Sequence, residues 1–196
     1  MGRTVDVNSD YVKRGIVVYS IGKGKTHHSI VLIMRYRIVV LIGLLVATVT
    51  WAERAPQLML EQISGSTFLL EEALLSGPVV FDIWATWCKP CVKSLSKIQE
   101  VAEGYKSKGV QFLTINVDGP RNRPKVRLFM RRHRIQLPVL LDYTNEVLQL
   151  FHLAGVPATL IIASDGTVFY RHEGYRLGDT EKIIEKLNEL LAFERK

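Results

Sequence analysis

The chain has 196 residues, 47% hydrophobic and 23% charged, which excludes a disordered polypeptide and leaves room for one domain of ordinary size plus an extra segment. Its formal charge is +7, yet seven of the 26 Lys and Arg and only two of the 19 Asp and Glu precede Glu53, so the remainder is close to neutral and the high pI is no argument for nucleic-acid binding. The two cysteines, three positions apart, exclude a multi-bridge disulfide scaffold and fall short of the ligand set of a structural zinc site, so neither a metal nor a cofactor beyond the cysteine pair is expected.

In chain order, Met34-Arg35-Tyr36-Arg37 comes before an uncharged stretch from Ile38 to Val49, and Thr50-Trp51-Ala52 closes it ahead of Glu53-Arg54. A short basic region, an apolar run and a small terminal residue make Met34–Ala52 a secretory signal cut after Ala52. The alternative is a retained membrane anchor, although the charge-free run Ile38–Ala52 has 15 residues against the roughly 20 that span a bilayer. Either case carries the rest of the chain across a membrane, so the expected location is extracytoplasmic: the periplasm or the outer face of the cytoplasmic membrane. Residues 1–33 fit a signal poorly. They are expected to be a non-native extension, with Met34 the true initiator, or a disordered tail, which leaves residues 53–196 as the folded domain.

Leu58, Leu60 and Ile63 mark a first strand, Ser64-Gly65-Ser66 a turn, Glu71–Leu75 a short helix, and Gly77-Pro78 a break. Val79–Trp84 is an almost wholly apolar run of strand length, as in a strand buried on both faces, interrupted by Asp82. From Pro90 the spacing turns helical through Val92, Leu95, Ile98, Val101, Ala102 and Tyr105, and Gly109 closes the segment. Val110–Val117 is a second buried strand. Arg123–Arg134 is a helix with Val126, Phe129, Met130 and His133 on one face and Arg127, Arg131 and Arg134 on another. A strand at Pro138–Leu141 and a helix at Asn145–His152 follow. Thr159–Ile162 and Val168–Arg171 form a hairpin turning at Asp165-Gly166. Thr180–Leu191 is a terminal helix with Ile183, Ile184, Leu187, Leu190 and Leu191 inward and Asp179 or Thr180 as its cap. This alternation predicts an α/β fold, a three-layer sandwich around a mixed central sheet, parallel first and antiparallel at its end.

Trp87-Cys88-Lys89-Pro90-Cys91 falls where the first buried strand passes into a helix. A bare C-x-x-C is a weak signal, but at such a junction in an α/β chain it reads as a redox centre. Unpaired N–H groups at a helix start carry partial positive charge and stabilise a thiolate there, drawing its pKa below the free value of about 8.5. Pro90 presets the backbone at a position where its missing N–H is tolerated. Cys88 is therefore expected to be the exposed nucleophile that forms a mixed disulfide, and Cys91, one turn inward, the thiol that resolves it. The charge of Lys89 assists the Cys88 thiolate, weakened by solvent screening. The alternative is an inert buried pair or a permanent bridge.

A carboxylate inside a buried strand is expensive unless paired or neutralised, so the pKa of Asp82 should rise by desolvation. Six residues before Cys88, it is placed to lie under the helix and accept the Cys91 proton, directly or through water. The alternative is a strand-end residue reaching solvent. Gly155-Val156-Pro157-Ala158-Thr159 puts a proline at the entry of an apolar strand, the position a strand allows it, and is compatible with a cis Val156–Pro157 bond.

Together, Val80-Phe81-Asp82-Ile83-Trp84-Ala85-Thr86-Trp87-Cys88-Lys89-Pro90-Cys91 and Gly155-Val156-Pro157-Ala158-Thr159, followed by Leu160-Ile161-Ile162 and Asp165-Gly166, resemble the active-site strand, cis-proline loop and hairpin of the thioredoxin superfamily. The helix and strand added between Asn116-Val117-Asp118 and Leu141-Asp142 resemble the central insertion of its TlpA/ResA-like branch. The resemblance implies a thioredoxin-like fold in which Pro157, with Val156 beside it, lies against the disulfide and positions the substrate backbone. It implies that Trp84, Trp87, Lys89 and Pro90 shape the surface around the sulfurs. It also implies an exported or tethered enzyme, many of whose relatives keep selected protein thiols reduced, including those awaiting haem attachment. Ser94 and Ser96 stand where that branch often carries a glutamate and a proline, and Asp82 is expected to replace the missing glutamate.

Arg121, Arg123, Lys125, Arg127, Arg131, Arg132 and Arg134 crowd a segment without acids, read either as a docking patch for an acidic partner or anionic membrane surface or as a solvated helix face. His133, His152 and His172 are scattered. The reading that follows is an exported thiol–disulfide oxidoreductase acting on protein dithiols and disulfides, expected to work as a reductant, supplied by a membrane or exported thiol donor and without nucleic-acid partners. Its rivals are a membrane-proximal binding module or adaptor with little turnover, and a cytosolic reductant if the Met34–Ala52 signal is misread.

Overall fold

The computed structural model describes residues 53–119 and 122–195, together with Arg35 and Arg37. The rest of Met34–Ala52, expected to be a signal, residues 1–33 and Arg121 lie outside the described residues. Among the described residues no helix is long and apolar enough to cross a membrane.

Seven strands form one sheet: β1 (Met59–Gln62), β2 (Thr67–Leu69), β3 (Val79–Trp84), β4 (Gln111–Asn116), β5 (Val139–Leu141), β6 (Ala158–Ile162) and β7 (Val168–Glu173). The helices are α1 (Leu70–Leu74), α2 (Lys89–Tyr105), α3 (Arg123–His133), α4 (Glu146–Leu150) and α5 (Asp179–Glu194). The strand order is β2-β1-β5-β4-β3-β6-β7. β3, β4 and β5 are parallel, as crossovers through helices require, while β6 runs antiparallel to β3 and pairs with β7 as a hairpin. The predicted mixed sheet is therefore present, and α3 and β5 form the expected insertion, with β5 pairing outward from β4.

All six residues of β3 are buried, because layers cover both faces of the sheet. Val80, Phe112 and Ile161 join Ile98, Val101 and Tyr105 of α2 and Ile183, Leu187 and Leu190 of α5 in one cluster. Phe81, Ile83, Ile115 and Leu160 point the other way and join Val126 and Met130 of α3 and Phe151 in a second cluster. Side chains alternate along a strand, so Asp82 shares the face of Val80 and lies towards α2 and α5.

Two differences from the sequence reading stand out. β2 was not anticipated: three residues are too few for alternation to register, and it is defined by antiparallel pairing with β1 across the Ser64–Ser66 turn. The cap of α5 is Gly178, at φ 95°, rather than Asp179 or Thr180, and no side chain caps the helix. Asp179 already belongs to the helix, and its carboxylate is engaged elsewhere, accepting from the Arg176 N–H and lying 2.9 Å from His172 Nε2. Gly77 is required where it is. Its φ is 135°, and a Cβ there would stand 2.4 Å from the Gly109 carbonyl oxygen.

Candidate active site

Cys88 is the N-cap of α2, Lys89 and Pro90 begin the helix, and Cys91 completes the first turn, its N–H donating to the Cys88 carbonyl at 3.2 Å. The two cysteines are disulfide-bonded, with Cα atoms 5.4 Å apart. No side chain caps this helix and no acid occupies its first turn, so its positive end is unneutralised by the chain. In the dithiol state that end favours a thiolate on the cysteine at its mouth.

Exposure separates the two sulfurs less than expected. Cys91 is fully buried, but Cys88, expected to be exposed, is only 5% accessible and belongs to the apolar cluster that contains Trp84 and Ala85. At the N-cap its small, apolar side chain packs onto the core beneath the loop. The accessible groups around it are Trp87, 66% exposed, and the exposed Lys89 and Pro90. Trp84 corrects a second expectation: it is fully buried and forms no part of the surface. It ends the innermost strand, and Phe129 of α3 stacks on it with ring centroids 4.8 Å apart, closing it off from solvent.

The Val156–Pro157 bond is cis. Pairing of Ile83 with Ala158 brings Pro157 to the end of β3 from which the Cys88 loop departs. Pro157 is buried, Val156 is half-buried, and the Pro157 carbonyl accepts from the Gly174 N–H at 2.8 Å.

Asp82 does not reach solvent. It is fully buried, and burial raises its carboxyl to about 7, against the smaller opposing effects of hydrogen bonds from Ser94 and Thr159. Both hydroxyls donate to Oδ1, at 2.8 Å from Ser94 and 3.3 Å from Thr159, while Oδ2 finds no donor among the described residues. Ser94, standing at the position of the branch's usual glutamate, is thus a direct partner of Asp82.

Asp118 escaped the sequence reading as a site residue. Its Oδ2 accepts from the Thr86 N–H (2.9 Å) and from Asn116 Nδ2 (2.9 Å), and its Oδ1 accepts from the Thr86 hydroxyl (3.0 Å). It therefore ties the loop two residues before Cys88 to the end of β4. The usable signal was its place just past the carboxyl end of a parallel strand, where α/β sheets build their sites.

A family model described as AhpC/TSA matches residues 52–171 of this chain, spanning the strand, the cysteine pair and the cis-proline loop. The chain belongs to the AhpC/TSA family. Among curated relatives of this AhpC/TSA chain, the thiol-disulfide oxidoreductase ResA of Halalkalibacterium halodurans is 29% identical over 143 residues, 72% of this chain and 77% of that protein. ResA of Bacillus subtilis strain 168 is 32% identical over 115 residues, 58% of this chain and 62% of that protein. Among solved structures, a protein provisionally named thiol:disulfide interchange protein DsbE, from Chlorobium tepidum, superposes with a TM-score of 0.66 at 25% identity, covering 74% of this chain and 99% of that one. The thioredoxin-like fold and the TlpA/ResA-like resemblance hold, and the chain is a thiol–disulfide oxidoreductase of this family.

The basic segment of this AhpC/TSA member is only partly free. Arg123 is ion-paired with Glu61 at 2.7 Å and donates to the Ile63 carbonyl at 2.9 Å, and Arg127 donates to the same carbonyl. These two cations fasten α3 to the end of β1, where Glu61 and the Ile63 carbonyl accept from them. The Arg123 hydrogen bond, then that from Tyr143, holds the Glu61 carboxyl below its ordinary range. Lys125, Arg131, Arg132 and Arg134 remain exposed. The three histidines do not converge: His133 packs at a tilt against Phe129, His152 is exposed and His172 faces Asp179. Among the described residues no group of three or more His, Cys, Asp or Glu is arranged to hold a metal.

Proposed function

We propose that this protein reduces disulfides in other proteins outside the cytoplasm, with Cys88 as nucleophile, Cys91 as resolving thiol and Asp82 as proton acceptor. The observation that carries the reading is the cysteine pair at the start of α2, its first member at the uncapped, acid-free helix end. In the dithiol state the Cys88 thiolate attacks a substrate sulfur, forming a mixed disulfide and releasing one substrate thiolate. The Cys91 thiol then gives its proton to Asp82 and attacks the Cys88 sulfur. This restores the Cys88–Cys91 bond and frees the second substrate thiolate. Two electrons have passed to the substrate, and an exported or membrane-bound dithiol returns them.

Several observations support a macromolecular client. The larger cavities, about 620 Å³ beside Phe169 and Phe193 and about 470 Å³ beside Met59 and Leu69, are lined by neither cysteine. Exposed Trp87 and Pro90 and half-buried Val156 offer an apolar rim on which a polypeptide can lie, with Pro157 ordering its backbone. Export rests on the Met34–Ala52 signal and the reducing direction on the resemblance to the TlpA/ResA-like branch. The exposed Lys125, Arg131, Arg132 and Arg134 are the cations left for an acidic partner or anionic membrane surface.

Insulin reduction coupled to a dithiol donor tests the activity. Wild-type turnover abolished in Cys88→Ser supports an exchanger, whereas client binding with no turnover in either protein would favour an adaptor. Cys91→Ser should hold the natural client as a covalent adduct. A redox potential more oxidising than that of the glutathione pool would overturn the reducing direction, and cell fractionation tests export.

A further inference from the structure

Ser94 and Thr159, the two hydroxyls that donate to Asp82 Oδ1, also line a narrow cleft with about 10 Å³ of free volume. That is close to the smallest space able to hold one water molecule. The cleft is also lined by Lys97 from α2, His172 from β7, Tyr175 from the following loop and Asp179 from α5. His172 is paired across the sheet with Thr159. Its Nε2 is buried and lies 2.9 Å from Asp179 Oδ2, but off the line of a hydrogen bond. Tyr170 of the same strand stacks parallel to it at 6.3 Å. Lys97 is turned to Glu100, 2.7 Å away, which leaves the His172 imidazole, with two ring nitrogens, as the group here able to take a proton at one atom and give one up at the other.

We infer that this cleft is the proton outlet of Asp82, with His172 as the relay residue and Asp179 holding it. The inference rests on the proposed function, in which Asp82 takes a proton from Cys91 in every cycle. A fully buried carboxyl must pass that proton on before the next turnover, and among the described residues its two hydrogen-bond partners both stand in the wall of the cleft. The transfer balances as a chain of single hops. The carboxyl proton goes to a Ser94 or Thr159 oxygen as that hydroxyl gives its own proton to a water in the cleft, and the water passes one to His172 Nε2. Asp82 returns to the carboxylate. The imidazolium formed faces the opposite charge of Asp179 and releases the proton to solvent.

The test is steady-state reduction of insulin by the full-length protein at saturating dithiol donor between pH 6 and 9, in dilute buffer, comparing wild type with His172→Gln. The expected result is a turnover slowed at least about five-fold, an unchanged single-turnover attack by Cys88 in stopped flow, and recovery of most of the lost rate on adding imidazole, which carries protons in place of the missing side chain. A turnover equal to wild type in dilute buffer, or a slowed turnover that imidazole does not lift, would overturn it. If His172→Gln does not fold, His172→Asn carries the same comparison, and the same two outcomes decide. Wild type that fails to exchange at all sinks the proposed function instead; exchange by wild type with His172→Gln unaffected sinks the outlet alone.

Discussion

Ser94 Oγ donates to Asp82 Oδ1 across 2.8 Å, from a position one helical turn beyond Cys91. The bond joins the face of α2 that carries the resolving cysteine to a carboxyl in the central strand. Both groups are buried, so the bond is stronger than its surface counterpart and costly to leave unmade.

Asp82 should make the protein less stable as pH rises. Its folded pKa, about 7, stands above the ordinary aspartate value of 3.8, so between these values the folded state holds a proton that the unfolded state has released. The stability this provides is complete below about pH 4 and is lost as pH climbs through 7, a change of at most about 4 kcal/mol. Asp82→Asn should remove that dependence and be the more stable protein at pH 8. Urea unfolding at pH 5 and pH 8 checks it, and equal pH slopes in the two proteins would contradict the assignment.

Ser94→Ala takes away a donor that favours the carboxylate, so the Asp82 carboxyl should rise further. The pH profile of insulin reduction should move towards higher pH, and unfolding stability should fall by about 1–3 kcal/mol at pH 8, where the charged form is left with one donor. An unmoved profile would remove Asp82 from the proton path.

Asp118→Ala leaves the Thr86 N–H, the Thr86 hydroxyl and Asn116 Nδ2 without their acceptor. A loss of about 1–3 kcal/mol is expected for the buried part of this set. Because Thr86 leads into Cys88, the exchange rate should drop more than stability alone explains. Thermal melts and insulin turnover on the same preparation measure both, and a normal rate in a destabilised protein would limit Asp118 to folding.

Gly77→Ala should cost several kcal/mol, at least about 3, since it combines a positive φ with a Cβ 2.4 Å from the Gly109 carbonyl oxygen. Gly104→Ala is the control: within α2, with nothing inside 4 Å of the new Cβ, it should stabilise by about 0.5–1 kcal/mol. Chemical denaturation of the pair reads both signs, and a tolerated Gly77→Ala would mean that the Gly77–Gly109 approach relaxes freely.

Patterns between near neighbours in the chain were legible in the sequence. Val79–Trp84 is the buried strand its apolar run announces, the helix begins beside Pro90, and the hairpin turns at Asp165-Gly166. The cysteine pair at a strand-to-helix junction and the buried Asp82 were readable for the same reason: apolar runs, proline position and cysteine spacing act over a few residues. Other outcomes depended on which distant segments the topology stacks together. Trp84 is interior because α3 lays Phe129 over it, and Arg123 is occupied because β1 brings Glu61 to it. Asp82 meets Ser94 and Thr159, 12 and 77 positions away, and Asp118 holds Thr86 across 32. Hydrogen bonds and burial act over a few ångströms in space, so the partner of a polar group is decided by the packing of the layers and not by its neighbours in the chain.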